Sequence, residues 1–218
     1  MADNSRQLPR TLWIGFGLLL GLLGLAWLLS LAESQRLHHR PLPVLGQIAD
    51  FTLTNQNGQV TTLADLTNRV WVADIIFTRC AGPCPRMTKQ MASLQAALPP
   101  TSQAKLVTLT TDPGNDTPSV MNKYGERFNA DSNRWEFLTG TKTEIAALAG
   151  GSLKLGAVPV KVEEQKDSAD LFIHTTIFVV VDKHAQLRGI FETGGDGVEW
   201  TNVQPNILAT MRQLEREP

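Results

Sequence analysis

The chain has 218 residues, 42% of them hydrophobic and 19% charged, with a formal net charge of -1 at pH 7. That composition suits one globular domain with an appendage and excludes a low-complexity or disordered chain. The near-zero charge leaves no electrostatic case for nucleic acid, which calls for a basic face.

The appendage comes first. Residues 11–32 carry no charge, a run long enough to cross the roughly 30 Å core of a bilayer as a helix. Trp13 and Trp27 stand near its ends, as in an interfacial aromatic belt. A cleaved signal usually has an apolar stretch of only about 7 to 15 residues, so an anchor is expected although Ser30-Leu31-Ala32 resembles a weak cleavage triplet. Arg6 and Arg10 precede the span and Arg36 and Arg40 follow it, close to a tie under the positive-inside rule. The short head, residues 1–10, is expected to stay in the cytoplasm and to send the rest across a bacterial plasma membrane, since nothing resembles an organelle transit peptide. Residues 33–46, with His38 and His39, read as a stiff polar linker.

The domain proper is expected over 47–218. Two alternating runs around Asn57-Gly58 predict a β-hairpin over 51–63. Residues 70–77 are nearly all apolar, as in a central strand buried on both faces, interrupted by Asp74. Pro85 fits the first turn of a helix, and Met87, Met91, Leu94 and Leu98 recur at helical spacing before Pro99-Pro100 ends it. A strand follows over 105–110, and Asp116-Thr117-Pro118 reads as a helix start capped by a side chain. A short strand at 135–137, a helix from about residue 143, a buried strand over 175–181, a turn at Asp182-Lys183-His184 and a strand over 187–191 come next. An amphipathic helix near 203–214 closes the chain. Strands alternating with helices predict an α/β fold, a three-layer sandwich on a mixed sheet with an N-terminal hairpin. A strand, a paired-cysteine loop and a helix in succession narrow it to a thioredoxin-like fold.

Cys80 and Cys84 are the only cysteines, within Phe77-Thr78-Arg79-Cys80-Ala81-Gly82-Pro83-Cys84-Pro85. At a helix N-terminus unsatisfied amides and the dipole favour thiolate, and thiolate is the active form in both disulfide exchange and metal binding. A structural staple is disfavoured, because so short a loop closes little chain entropy. His174 precedes the strand at 175–181, where a thioredoxin fold brings a loop against the cysteine pair. Two sulfurs and an imidazole make a soft three-coordinate set suited to Cu(I) and able to hold Cu(II) with an added oxygen. A structural zinc site would want a fourth protein ligand. Met87 and Met91 could offer thioether sulfur but are better read as core; His184 reads as an exposed turn residue. Asp112 and Asp116 read as turn and cap residues, with shaping the mouth of the site or a partner surface as the alternative.

Phe77 to Met87, the stretch Thr111-Asp112-Pro113-Gly114-Asn115-Asp116-Thr117-Pro118 with Lys123, Tyr124 and Phe128, the segment Trp135-Glu136-Phe137-Leu138-Thr139-Gly140, and His174 together resemble the Sco/SenC family over about residues 46 to 215. The resemblance implies a membrane-tethered thioredoxin-like domain that binds copper through Cys80, Cys84 and His174. It also implies a part in maturing the copper A centre of cytochrome c oxidase, with the oxidase subunit or another copper chaperone as partner. Ala81-Gly82-Pro83 lacks the acidic or polar residue often found between the cysteines, and Ile173 stands where the family commonly has Asp. Both departures leave the three ligands intact. The rival reading is a membrane-anchored thiol-disulfide oxidoreductase in which Cys80 and Cys84 are the catalytic pair. No nucleophile elbow, phosphate-binding glycine loop or catalytic carboxylate pair is present.

Overall fold

The computed structural model describes residues 10–38, 41–156 and 176–217. They fall into two compact units, 1–42 and 43–218.

The first unit contains helix α1 (Arg10–His38), which encloses the apolar run at 11–32 and continues through the first part of the expected linker. Among the described residues no helix is long and apolar enough to cross a membrane.

The second unit is built on one eight-stranded sheet in the order β1-β8-β7-β4-β5-β6-β2-β3. Its strands are β1 (Gly46–Gln47), β2 (Thr52–Asn55), β3 (Val60–Thr62), β4 (Trp71–Ile76), β5 (Lys105–Thr110), β6 (Trp135–Thr139), β7 (Ile177–Val181) and β8 (Gln186–Glu192). Strands β4, β5 and β6 are parallel, and β7, β8 and β2 are antiparallel to their inner neighbours. The predicted hairpin is β2–β3, turning at Gly58 with φ 76°, a left-handed value that glycine adopts without penalty. Strand β1, at the boundary between the expected linker and the domain and hydrogen-bonded to β8, has too short a pattern to be read from sequence.

The helices of this unit are α2 (Leu63–Leu66), α3 (Cys84–Ala97), α4 (Pro118–Glu126), α5 (Lys142–Ala146) and α6 (Trp200–Arg216), and a π-helical turn over Ala147–Ser152 extends α5. On one face of the sheet Trp71, Ala73 and Ile75 of β4, Val107 and Leu109 of β5 and Val179 and Val181 of β7 pack with Ile145, Leu148 and Ala149. On the other, α3 and α6 join through Trp200 and Gln204, which donate to Ser93 at 3.1 to 3.2 Å. Two helical layers around a mixed sheet are the predicted architecture.

All six residues of β4 are buried, so its near-continuous apolar pattern follows from cover on both faces. The interruption, Asp74, is 0% exposed and faces the layer of α3. It lies beside Thr108 in the β4–β5 register, and the Thr108 hydroxyl donates to Asp74 Oδ1 at 2.6 Å while accepting from Trp135 Nε1 at 2.9 Å. Asp74 Oδ2 has no hydrogen-bond partner among the described residues. Burial pushes the carboxyl pKa up to about 7, against the lowering effect of the Thr108 bond.

Between about pH 4 and pH 7 the folded chain holds a proton on Asp74 that the unfolded chain has lost, so this group lowers stability as pH rises through that window. Asp74→Asn removes the effect: its stabilisation relative to the native chain, measured by denaturant unfolding, should be greater at pH 8 than at pH 5 by roughly 2 kcal/mol. An equal gain at both pH values would show that Asp74 is already ionised at pH 5.

Candidate metal centre

Strand β4 ends at Ile76, and the chain turns at once, Cys80 N donating to Phe77 O at 3.2 Å. Gly82 N then points back at Cys80 Sγ, 3.3 Å away. Pro83 precedes the first turn of α3, where Arg86 N and Met87 N both reach its carbonyl at 3.0 Å; Pro85 sits in that first turn, where a missing N–H is harmless. The strand-loop-helix sequence thus brings both sulfurs to one place, as predicted. Cys80 is half-buried and Cys84 buried, and both are free thiols whose side chains influence one another.

The expectation of a thiolate favoured at the helix N-terminus does not hold for Cys84. Burial pushes its thiol up to about 12, assisted by the hydrogen bond and charge of Cys80 and by the charge of Asp74; only the backbone bond at Phe77 opposes the shift. Desolvation outweighs the dipole here because the side chain is taken almost wholly out of water. The same polar pocket continues inward: Thr88 Oγ1 donates to Cys84 O and shares a 2.9 Å hydrogen bond with the Tyr124 hydroxyl.

One wall of the loop comes from the connection between β5 and α4. Asp116, expected to cap α4, does not: the N-cap is Thr117, and it makes no side-chain cap bond. The Asp116 carboxylate instead accepts from Thr78 N at 3.0 Å and from Thr78 Oγ1 at 2.5 Å. Arg79 pairs with Asp112 at 2.7 Å, its side chain 67% exposed, a pair of small energetic value on its own. The other wall comes from residues after β8. Thr193 N donates to Thr176 O at 2.6 Å, Thr176 Oγ1 to Gly194 O at 2.8 Å, and Gln90 Nε2 of α3 to Thr193 O at 2.9 Å. A Cβ on Gly194 would lie 2.0 Å from Arg86 Nη2 and 3.1 Å from Thr176 Cγ2, so a side chain there would displace the Arg86 guanidinium.

His174 lies outside the described residues, two positions before Thr176. Met87 and Met91 are core, 1% and 0% exposed, and take no part in the site. His184 is exposed in its turn, its backbone N donating to Asp182 Oδ1; His39 lies outside the described residues, as do the side-chain surroundings of His38. Sequence reading missed Thr78, Arg86 and Gly194. The only available signals were the pair Gly194-Gly195 and a threonine two residues before a cysteine.

Two adjacent free sulfurs fit a soft cation far better than an oxygen-seeking one. Among the described residues no group of three His, Cys, Asp or Glu is assembled to hold a metal. The chain and its fold match known proteins. The chain is 32% identical over 141 residues, 64% of its length and 70% of the relative's, to the SCO1 protein homolog of Bacillus subtilis. It is 29% identical over 150 residues, 68% and 70% of the two chains, to the protein of Stutzerimonas stutzeri named "Putative copper-binding protein". The structure superposes on that of BsSco, a member of the Sco family of cytochrome c oxidase assembly proteins with an identified disulfide switch, at a TM-score of 0.65 and 27% identity, covering 82% of this chain and 100% of that one. The SCO1/SenC family model matches residues 45–204, a stretch that runs from just before β1 into α6 and contains Cys80, Cys84 and His174, and the chain belongs to the SCO1/SenC family.

Proposed function

We propose that the chain is a copper-handling assembly factor that holds Cu(I) as cargo on Cys80, Cys84 and His174 and passes it to the copper A centre of cytochrome c oxidase. The observation that carries this reading is the pair of adjacent free sulfurs at the N-terminus of α3, one half-open to solvent and one buried. The names of the relatives point the same way. Cys80, the more accessible sulfur, is the first that a partner thiolate can reach. Cys84 gives up its proton when the cargo is taken on and regains one when it leaves. For His174 the support is chain connectivity: Thr176, two residues on, is hydrogen-bonded to the 193–194 segment that closes on α3, and two residues span at most about 7 Å.

The unequal exposure of the sulfurs also favours a second reading, thiol-disulfide exchange. In it Cys80 thiolate attacks a partner disulfide to give a mixed disulfide and a partner thiolate, and Cys84 then displaces the second partner thiolate to leave a Cys80–Cys84 disulfide and a reduced partner.

The same proposal tethers the domain to a bacterial plasma membrane, with residues 1–10 in the cytoplasm and 47–218 outside. Its support is the uncharged run at 11–32 and the exposure of the apolar side chains of α1, among them Leu18 at 66% and Trp27 at 64%, which need an apolar covering.

Titration of the reduced full-length chain with Cu(I) under anaerobic conditions should give one ion bound per chain, and Cys80→Ser, Cys84→Ser and His174→Ala should each abolish that stoichiometric complex. A complex that survives all three unchanged would overturn the ligand assignment. His174→Ala should leave dithiol exchange with a model disulfide largely intact, and this separates the two readings. Because Cys84 is protonated at ordinary pH, Cu(I) affinity should rise about tenfold or more per pH unit between pH 7 and 9; a flat profile would mean that no proton leaves on binding. For the tether, the chain should stay with the membrane pellet after alkaline carbonate washing and keep the mass of its first residues. A mature chain shorter by about thirty residues would show a cleaved signal instead.

A further inference from the structure

We propose that Asp116 is a positioning residue of the thiol site, setting the place of Cys80 through Thr78; the inference rests on the reading of Cys80 and Cys84 as cargo ligands. Asp116 is 0% exposed. Its Oδ2 accepts from Thr78 N at 3.0 Å and Thr110 Oγ1 at 2.5 Å, and its Oδ1 from Thr78 Oγ1 at 2.5 Å and Asn115 Nδ2 at 2.8 Å. A carboxylate has about four acceptor directions, and all are taken here, so the group has one orientation.

Two of the four bonds hold a single residue by both its backbone and its side chain. That residue, Thr78, stands two positions before Cys80 and beyond the last hydrogen-bonded residue of β4. From there to α3 the loop has little of its own to hold it, chiefly the contacts from Cys80 N to Phe77 O and from Gly82 N to Cys80 Sγ. The third bond ties the clamp to the end of β5 at Thr110, whose hydroxyl also accepts from Asp112 N at 3.0 Å. Asp112 in turn holds Arg79. Thr78 is therefore fixed to the β5–α4 connection, Arg79 adds a surface pair to it, and Cys80 is the next residue along.

Ordinary helix capping does not account for this arrangement. The carboxylate makes no bond to the first turn of α4, and its four donors are neutral hydroxyl, amide and backbone groups. Removing a charge from water among neutral donors is unfavourable for stability, whereas a saturated buried group gives a fixed geometry. Cargo that two sulfurs must hold together requires the Cys80–Cys84 separation to be set in advance.

The test uses the reduced full-length chain in detergent micelles, with two measurements that both depend on where Cys80 sits. The first is competition for Cu(I) with a colorimetric chelator. The second is the rate at which diamide closes the Cys80–Cys84 disulfide, two thiols losing two electrons and two protons to diamide as the S–S bond forms. Asp116→Asn keeps the side-chain volume but turns one acceptor into a donor facing Thr78 or Thr110. It should weaken Cu(I) binding about tenfold and slow closure by about the same factor. Thr78→Val should do so to a smaller degree, and the two together less than additively. Ile145→Ala, in the helical layer across the sheet and 2% exposed, lowers thermal stability without touching the loop and should leave both measurements within about twofold of the native chain. An Asp116→Asn chain that matches the native one in both measurements, or an Ile145→Ala chain that loses as much, overturns the positioning role. Should the native chain bind no Cu(I) through Cys80, the copper reading fails, and the rate of closure alone decides the role of Asp116.

Discussion

Strand β4 is covered on both faces and hydrogen-bonded along both edges, to β5 in parallel and to β7 antiparallel. The rest of the site depends on that constraint. A strand so enclosed cannot shift in register without moving its side chains to the wrong layer, so the point at which the chain leaves the sheet, after Ile76, is determined. Because β4 and β5 run in the same direction, their C-terminal ends lie at the same edge of the sheet, and the connections that follow them meet. That meeting is the contact of Thr78 and Arg79 with Asp116 and Asp112. An antiparallel neighbour would have put the Asp116 connection at the far end, away from the cysteines.

Beneath this edge the interior is more polar than the hydropathy of β4 suggests. Asp74, Thr108 and Trp135 form one hydrogen-bonded series, and Cys84, Thr88 and Tyr124 another. The two are linked electrostatically, since the charge of Asp74 raises the Cys84 thiol. Together they make the two sulfurs chemically unequal. Cys84 is embedded and keeps its proton, while Cys80 stands in the half-open loop. Such a pair suits stepwise exchange, in which one sulfur meets the partner and the other closes behind it.

The far wall has a different origin. Gly194 and Thr193 come from the chain after β8, more than a hundred residues beyond the cysteines, and reach α3 because β7 and β8 lie next to β4 in the sheet order. The contact of Arg86 with Gly194 leaves no room for a Cβ. The 176 and 194 segments are held beside α3 by the hydrogen bonds of Thr176, Thr193 and Gln90.

Much of this was already present in local sequence. The alternating runs around Asn57-Gly58, the apolar stretch of β4, the proline and methionine spacing of α3 and the cysteine pair are each decided by neighbours a few residues away, through turn chemistry, side-chain periodicity and helix starts. They identify the α/β class, the thiol site and the family resemblance without any distant contact. Three features lay beyond that reach because they depend on long-range packing. Asp116 looks like a helix cap until Thr78, 38 residues earlier, supplies better donors than the first turn of α4. Cys84 looks like an activated thiolate until the layers around it exclude the water that would stabilise the charge. Asp74 looks like a flaw in a strand until Thr108, itself held by Trp135, gives it a partner. The sequence by itself determined which groups are present and which elements carry them; only the tertiary structure decided which polar atoms meet and how much water reaches them, because those quantities are set by strand order and burial rather than by spacing along the chain.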